Sequence, residues 1–296
     1  MSEVLRIQYA SDLHLELWKK KTFDETLQPV APILALLGDI GNLNAPNLRS
    51  FLEYCSERWK HIFWIPGNEV WAYSTDVASS VKQMKDLCMP YSNIHVLYKN
   101  TFLLEDTLFV GLSLWHKPRD GMLQYNSSVY IKQIPLPVEE KLFKQAHNEN
   151  VAFLRNTIKN AENPIVVLSY YAPFTWLYEE DWIQEPAYAI VDSELETLIT
   201  YPIIAWLCGH NHLPIEYNRR YFLATGYQGN VLFVSNPRGK PLLKEENEKE
   251  KEKEKEKEKE KQSYYRKDAV LRLQPALLEG FQPKEEEVIP AWARRS

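Results

Sequence analysis

Seven short apolar runs punctuate the chain, and each closes in a loop of glycine and polar residues. They are VLRIQYA (4–10), PILALLGDIGN (32–42), HIFWIPGNE (61–69), TLFVGLSLW (107–115), PIVVLSYYAP (164–173), IIAWLCGHNH (203–212) and NVLFVSNPRG (230–239). Their apolar residues are largely continuous rather than alternating, which predicts strands covered on both faces. Between them lie stretches with helical spacing. Leu48, Phe51, Leu52 and Cys55 mark one over 47–60, and VEEKLFKQAHNENVAFLRNTIKN marks another over 138–160. Strands alternating with helices predict an α/β domain, in which ligands gather at the carboxyl ends of the strands. The polar residues that close each run are therefore the candidates for chemistry. Residues 116–137 and 174–193 read as long connections. Trp176, Glu179, Glu180, Asp181 and Trp182 in the second predict a lid or interface.

Of the 296 residues, 45% are apolar and 12% aromatic, ample for a large core, which excludes a wholly disordered, collagen-like or disulfide-framework chain. Length alone allows about two domains. Much of the charge, however, sits in one run. Residues 244–261, KEENEKEKEKEKEKEKEK, hold 8 Lys and 9 Glu. Its alternation sets like charges at i and i+4, so a solvated flexible linker is expected there. The organisation predicted is a single domain over 1–243, the linker over 244–261 and a C-terminal tail over 262–296, free to pack back or to engage a partner. Cys55, Cys88 and Cys208 are scattered without CxxC spacing, which fits a reducing compartment. No signal peptide and no apolar run near about 18 residues is present, so a soluble intracellular protein, cytoplasmic by default, is expected. With a net charge of −5 and no isolated Lys/Arg cluster, there is no nucleic-acid footprint.

The strand exits supply a donor set. Asp12 and His14 stand two apart in SDLHLE, Asp39 follows Gly38, Asn68 follows Gly67, and His210 and His212 flank Asn211 in GHNH. Each signal alone is common by chance; the ordered set, each member closing an apolar run, is not. Carboxylate, imidazole and amide donors together suit Mn²⁺, Fe²⁺ or Zn²⁺. Two such ions about 3.5–4 Å apart would clamp a phosphoryl group and ionise a bridging water, with Asp39 able to bridge them. Arg238 in NPRG reads either as a bidentate phosphate contact or as a turn residue paired with a local acid. His116 follows LSLW, where it could line a pocket mouth. His61, His95 and His147 are assigned no role.

Taken together, SDLHLE, LLGDIGN, IPGNE, the GLSLW strand, LSYYAP, CGHNH and SNPRGK resemble the calcineurin-like metallophosphoesterase superfamily, from about Val4 to Lys240. The resemblance implies a four-layer sandwich, with two mixed β-sheets face to face and helices outside. It implies one or two divalent ions. Asp12, His14, Asp39 and His212 would hold the first, and Asp39, Asn68 and His210 would contribute to the second. Asp39, Asn68 and His210 would then also be catalytic, with a metal-bound hydroxide hydrolysing a phosphomonoester or phosphodiester.

Two positions depart from that pattern. The family's GNHD or GNHE carries a histidine after the asparagine; here Glu69 either replaces it or, with one residue deleted, matches the acidic residue that follows, and an ionised carboxylate neither donates a proton nor welcomes a phosphate. In the family's VxSHHAP-like segment the first histidine ligates the second metal. Here LSYYAP sets Tyr170 in its place, a phenol of ordinary pKa near about 10. The expectation is an intact first site, a second site filled or capped by Tyr170, and weak turnover. The alternative is an inactive scaffold or binding protein of the same fold, engaging a protein partner.

Overall fold

The computed structural model describes residues 4–17, 22–71, 76–115, 136–174, 177, 193–222, 228–239 and 265–273. In the first sheet, β1 (Leu5–Ala10), β2 (Ile33–Leu37), β3 (His61–Ile65) and β4 (Ile94–Val96) run parallel in that order. The second sheet is built from β5 (Asn100–Leu104), β6 (Thr107–Leu112), β7 (Ile165–Ser169), β8 (Ile203–Cys208), β9 (Ile215–Phe222) and β10 (Gln228–Ser235). Its order is β5-β6-β7-β8-β10-β9, parallel inside and antiparallel at both edges. The seven apolar runs become β1, β2, β3, β6, β7, β8 and β10.

The sheets pack face to face through one apolar core, as where Phe63 of β3 meets Phe109 of β6 at 4.4 Å between ring centroids. Single-turn α1 (Phe23–Thr26) precedes β2, and the longer helices add further apolar faces. α2 (Pro46–Ser56) opens on a proline, whose missing N–H is one the first turn leaves unpaired anyway, and buries Leu48, Phe51, Leu52 and Cys55. α3 (Val77–Cys88) is capped by Asp76, which accepts the Ser79 N–H at 2.7 Å. α4 (Leu136–Lys159) buries Val151 and Leu154, and Asn150 Oδ1 accepts the Leu114 N–H at 3.2 Å, tying the helix to the exit of β6. Among the described residues, no helix is long and apolar enough to cross a membrane. The three cysteines are free and buried.

Part of the 262–296 tail packs back on the domain. Val270–Leu273 forms β11, antiparallel to β1 at the edge of the first sheet. Two buried amides explain the docking. Gln8 Nε2 donates to the carbonyls of Gln28 at 2.7 Å and Lys267 at 2.8 Å, while its Oε1 accepts from Trp59 Nε1 at 3.0 Å. Asn236 Nδ2 donates to the Arg266 carbonyl at 2.7 Å, and its Oδ1 accepts the Arg266 N–H at 3.0 Å. Residues 265–273 thus belong to the domain's first sheet and its flank.

Candidate metal centre

The strand ends of both sheets are joined at one edge. Ser11 bridges Pro237, its carbonyl accepts the Arg238 N–H at 3.0 Å, and the Gly209 N–H donates to the Tyr170 carbonyl at 2.9 Å. Within the first sheet, the Asp12 N–H donates to Gly38 and the His14 N–H to Asp39, both at 3.0 Å. The loops that follow β1, β2, β7, β8 and β10 therefore form one connected surface.

Five donor residues stand in left-handed backbone, with φ of 52° at Asp12, 44° at His14, 48° at Asp39, 69° at His210 and 50° at His212. Such conformations cost of order 1–3 kcal/mol each for residues with a Cβ and persist where surrounding contacts enforce them. The glycine before Asn68 has a steric reason. A Cβ on Gly67 would collide with the Asp39 carboxylate and backbone nitrogen.

Ligand atoms of Asp12, His14 and His212 all lie within 4.8 Å of one another. Asp12 Oδ1 is 3.4 Å from His212 Nε2, while Oδ2 accepts from Ser11 Oγ at 2.5 Å and from the His210 N–H at 3.0 Å. Burial works to raise the Asp12 pKa, but His212, His14 and Ser11 outweigh it and hold the group at about 2. His14 is buried, with Nδ1 3.3 Å from Glu69 Oε2 and 3.6 Å from Glu16 Oε1. Burial works to lower its pKa, and the facing Glu16, Glu69 and Asp39 push it up to about 10. Neither of its ring nitrogens has a hydrogen-bond partner among the described residues. A buried nitrogen of this kind beside a carboxylate and a second imidazole fits a divalent cation. Asp39 is raised to about 7 by burial and by Glu69 and Asp12, against the opposing charge of His14.

Tyr170 stands at the centre of the remaining donors. Its hydroxyl is 2.5 Å from Asp39 Oδ2, 2.8 Å from Asn68 Oδ1, 3.0 Å from His210 Nδ1 and 3.3 Å from Asp12 Oδ1. With one proton to give, it donates to one acceptor at a time, Asp39 being the nearest. Burial and the charges of Asp39 and Asp12 push its pKa well above the ordinary value, so the phenol is neutral.

The structure thus brings Asp12, His14, Asp39, Asn68, His210, His212, Glu69 and Tyr170 together. Arg238 is buried, and its guanidinium meets Thr26 Oγ1 at 3.2 Å. His116 and the segment 178–192 with Glu179, Glu180, Asp181 and Trp182 lie outside the described residues, as does Trp176. Sequence reasoning missed Glu16, although a carboxylate two residues beyond His14 continues the DxH spacing. It also missed Tyr171, whose ring centroid is 4.2 Å from that of His210. A cavity of about 720 Å³ between α3 and α4 is lined by Val77, Val81, Lys85, Tyr98, Trp115 and Phe143, among others, and by none of the candidate ligands.

Two mixed sheets packed face to face, with their loops gathered at one edge, form the α/β sandwich expected from the sequence. The phosphopantetheinyl hydrolase PptH of Mycobacterium tuberculosis shares this fold, with a TM-score of 0.61, 16% identity, and coverage of 94% of this chain and 98% of that one. In sequence, the chain is 27% identical over 242 residues to an uncharacterized protein of Acanthamoeba polyphaga mimivirus, covering 70% of this chain and 84% of that protein. No family model matches the chain.

Proposed function

We propose that the chain is a phosphoesterase-type hydrolase built around one divalent ion, held by Asp12, His14, Asp39 and His212. The supporting observation is the Tyr170 hydroxyl, set 2.5 Å from Asp39, 2.8 Å from Asn68 and 3.0 Å from His210. Those are the donors a second ion would need. At metal–oxygen lengths of about 2.0–2.2 Å, an ion among them would overlap the phenol oxygen. The neutral hydroxyl instead donates a hydrogen bond to Asp39, offsetting part of that charge. Bound at the first site, an ion would polarise a phosphoryl oxygen and lower the pKa of water. The chain's own groups complete the site. Ser11 and the His210 N–H orient Asp12, while Asn68 and His210, both half-buried, are at hand for the phosphoryl oxygens of a monoester or diester. Glu69 adds negative charge beside an anionic substrate, which favours slow turnover. The same observation favours a second reading, a metal-holding binding protein without turnover.

The test joins metal stoichiometry to hydrolysis of p-nitrophenyl phosphate, bis-p-nitrophenyl phosphate and a phosphopantetheinyl ester with Mn²⁺, Fe²⁺ or Zn²⁺. The expected result is one ion per chain and slow turnover that Asp39→Ala abolishes. Two tightly held ions would refute the one-ion reading. One ion with no turnover on any substrate selects the binding protein.

A further inference from the structure

The two ring nitrogens of His14 face different chemistry. Nδ1 lies within ion-pair reach of both Glu69 Oε2, at 3.3 Å, and Glu16 Oε1, at 3.6 Å. Both ring nitrogens are buried without a hydrogen bond among the described residues; the glutamates lie on the Nδ1 side, and the ring also stands beside Asp12 and His212. Both glutamates are tethered. Glu16 Oε2 accepts the Asn42 N–H at 2.9 Å, and the backbone N–H of Glu69 donates to Asp39 Oδ1 at 3.0 Å. A metal-binding histidine ordinarily gives its other ring N–H to a carboxylate or carbonyl, which fixes the tautomer and raises its basicity as a ligand.

We propose that Glu69, with Glu16 beside it, is a positioning residue that holds the Nδ1–H of His14 and so presents Nε2 to the ion. The proposal rests on the one-ion reading above. It gives the carboxylate at position 69 a use that does not require it to donate a proton to a leaving group. Glu69 acts through His14 and does not touch substrate. Its side chain is about a third exposed, at 32%, so it reaches the buried ring from the rim of the site. With the glutamates on the Nδ1 side, an Nδ1–H turned to either of them leaves the Nε2 lone pair for coordination. Glu16 offers a second acceptor on the same nitrogen, so losing one glutamate weakens the arrangement and losing both removes it.

The test is calorimetric titration of the full chain, stripped of metal, with Zn²⁺. Wild type is compared with Glu69→Gln, Glu69→Leu and the Glu16→Leu, Glu69→Leu double variant, each checked by thermal unfolding. Gln keeps a carbonyl acceptor, so its affinity is expected within about threefold of wild type. The leucine variants should weaken binding about 10-fold singly and about 100-fold together, with stoichiometry unchanged. Nitrogen-15 NMR of the Zn²⁺-loaded wild type, which does not depend on any variant folding, should show His14 with a proton on Nδ1 and Nε2 coordinated. Wild-type affinity in the leucine variants would overturn the proposal, as would coordination through Nδ1. Two ions in wild type, one of them lost with Glu69, would make the glutamates ligands and overturn it too. A wild type that binds no ion fails both this proposal and the one-ion reading. One bound ion with unchanged variants fails this proposal alone.

Discussion

Tyr170→Phe removes one oxygen and leaves the ring, which packs so close to Gly38 that a Cβ there would run into it. The ring contacts with Tyr171 and His210, both at 5.0 Å between centroids, also remain. What is lost is the hydrogen bond to Asp39 Oδ2 at 2.5 Å and the contacts with Asn68 Oδ1 at 2.8 Å, His210 Nδ1 at 3.0 Å and Asp12 Oδ1 at 3.3 Å. A hydrogen bond to a charged group contributes about 1.5–3 kcal/mol, and a buried acceptor left unpaired costs about 1–3 kcal/mol more. A water entering the space returns part of this, so a net loss of about 2–3 kcal/mol is expected. For a domain of this size that corresponds to a fall in Tm of about 4–12 °C. The assay is urea and thermal unfolding in EDTA at pH 8, above the Asp39 pKa of about 7, with a parallel series at pH 5. The difference should shrink at pH 5, where a protonated Asp39 no longer needs the donor. A difference below about 0.5 kcal/mol at pH 8 would refute the assignment of the hydroxyl as the partner of the Asp39 charge.

Asp39, raised from 3.8 to about 7, and His14, raised from 6.5 to about 10, both bind protons more tightly in the folded metal-free chain. Their combined contribution to stability should therefore fall as pH rises, through about 4–7 for Asp39 and 6.5–10 for His14. Because an ion must displace these protons, the Tm gain on adding Zn²⁺ should grow from pH 6 to pH 8, and a flat or falling gain would count against the ligand assignment. Gly67→Ala should destabilise the fold by about 1–3 kcal/mol and weaken metal binding by displacing Asp39, as read by urea unfolding and calorimetry. Gln8→Ala strips partners from Trp59 Nε1 and the carbonyls of Gln28 and Lys267. It should cost about 2–4 kcal/mol and raise hydrogen exchange in β11, whereas unchanged exchange there would show that the amide does not hold the strand.

Edge strands and central strands differ in what the chain reveals of them. β2 and β7 are buried along their whole length, so their sequences ILALL and IVVLS are unbroken apolar runs. β9, IEYNRRYF, is an edge strand with most side chains exposed, and its polar residues conceal it. β4 has three residues and β11 four, too short for any period to show. Glu16 was in plain view beside His14, but nothing local distinguishes it from a solvated acid. Only the meeting of the β1 and β3 loops sets it and Glu69 on the same ring nitrogen.

The sequence by itself determined seven of the eleven strands among the described residues and the order of donors at their exits. These are local properties, since a glycine-bounded exit from a buried strand writes its donor within two or three residues of the last apolar position. What surrounds Glu69 and Tyr170 was decided by tertiary structure. Residues 170, 39, 68 and 210 come from four separate loops, and the distances that put a phenol oxygen among them exist only once both sheets are packed. The same packing carries Val270–Leu273 past the Lys-Glu run to β1. Buried amides at Gln8 and Asn236 satisfy backbone groups that no neighbour in sequence could reach.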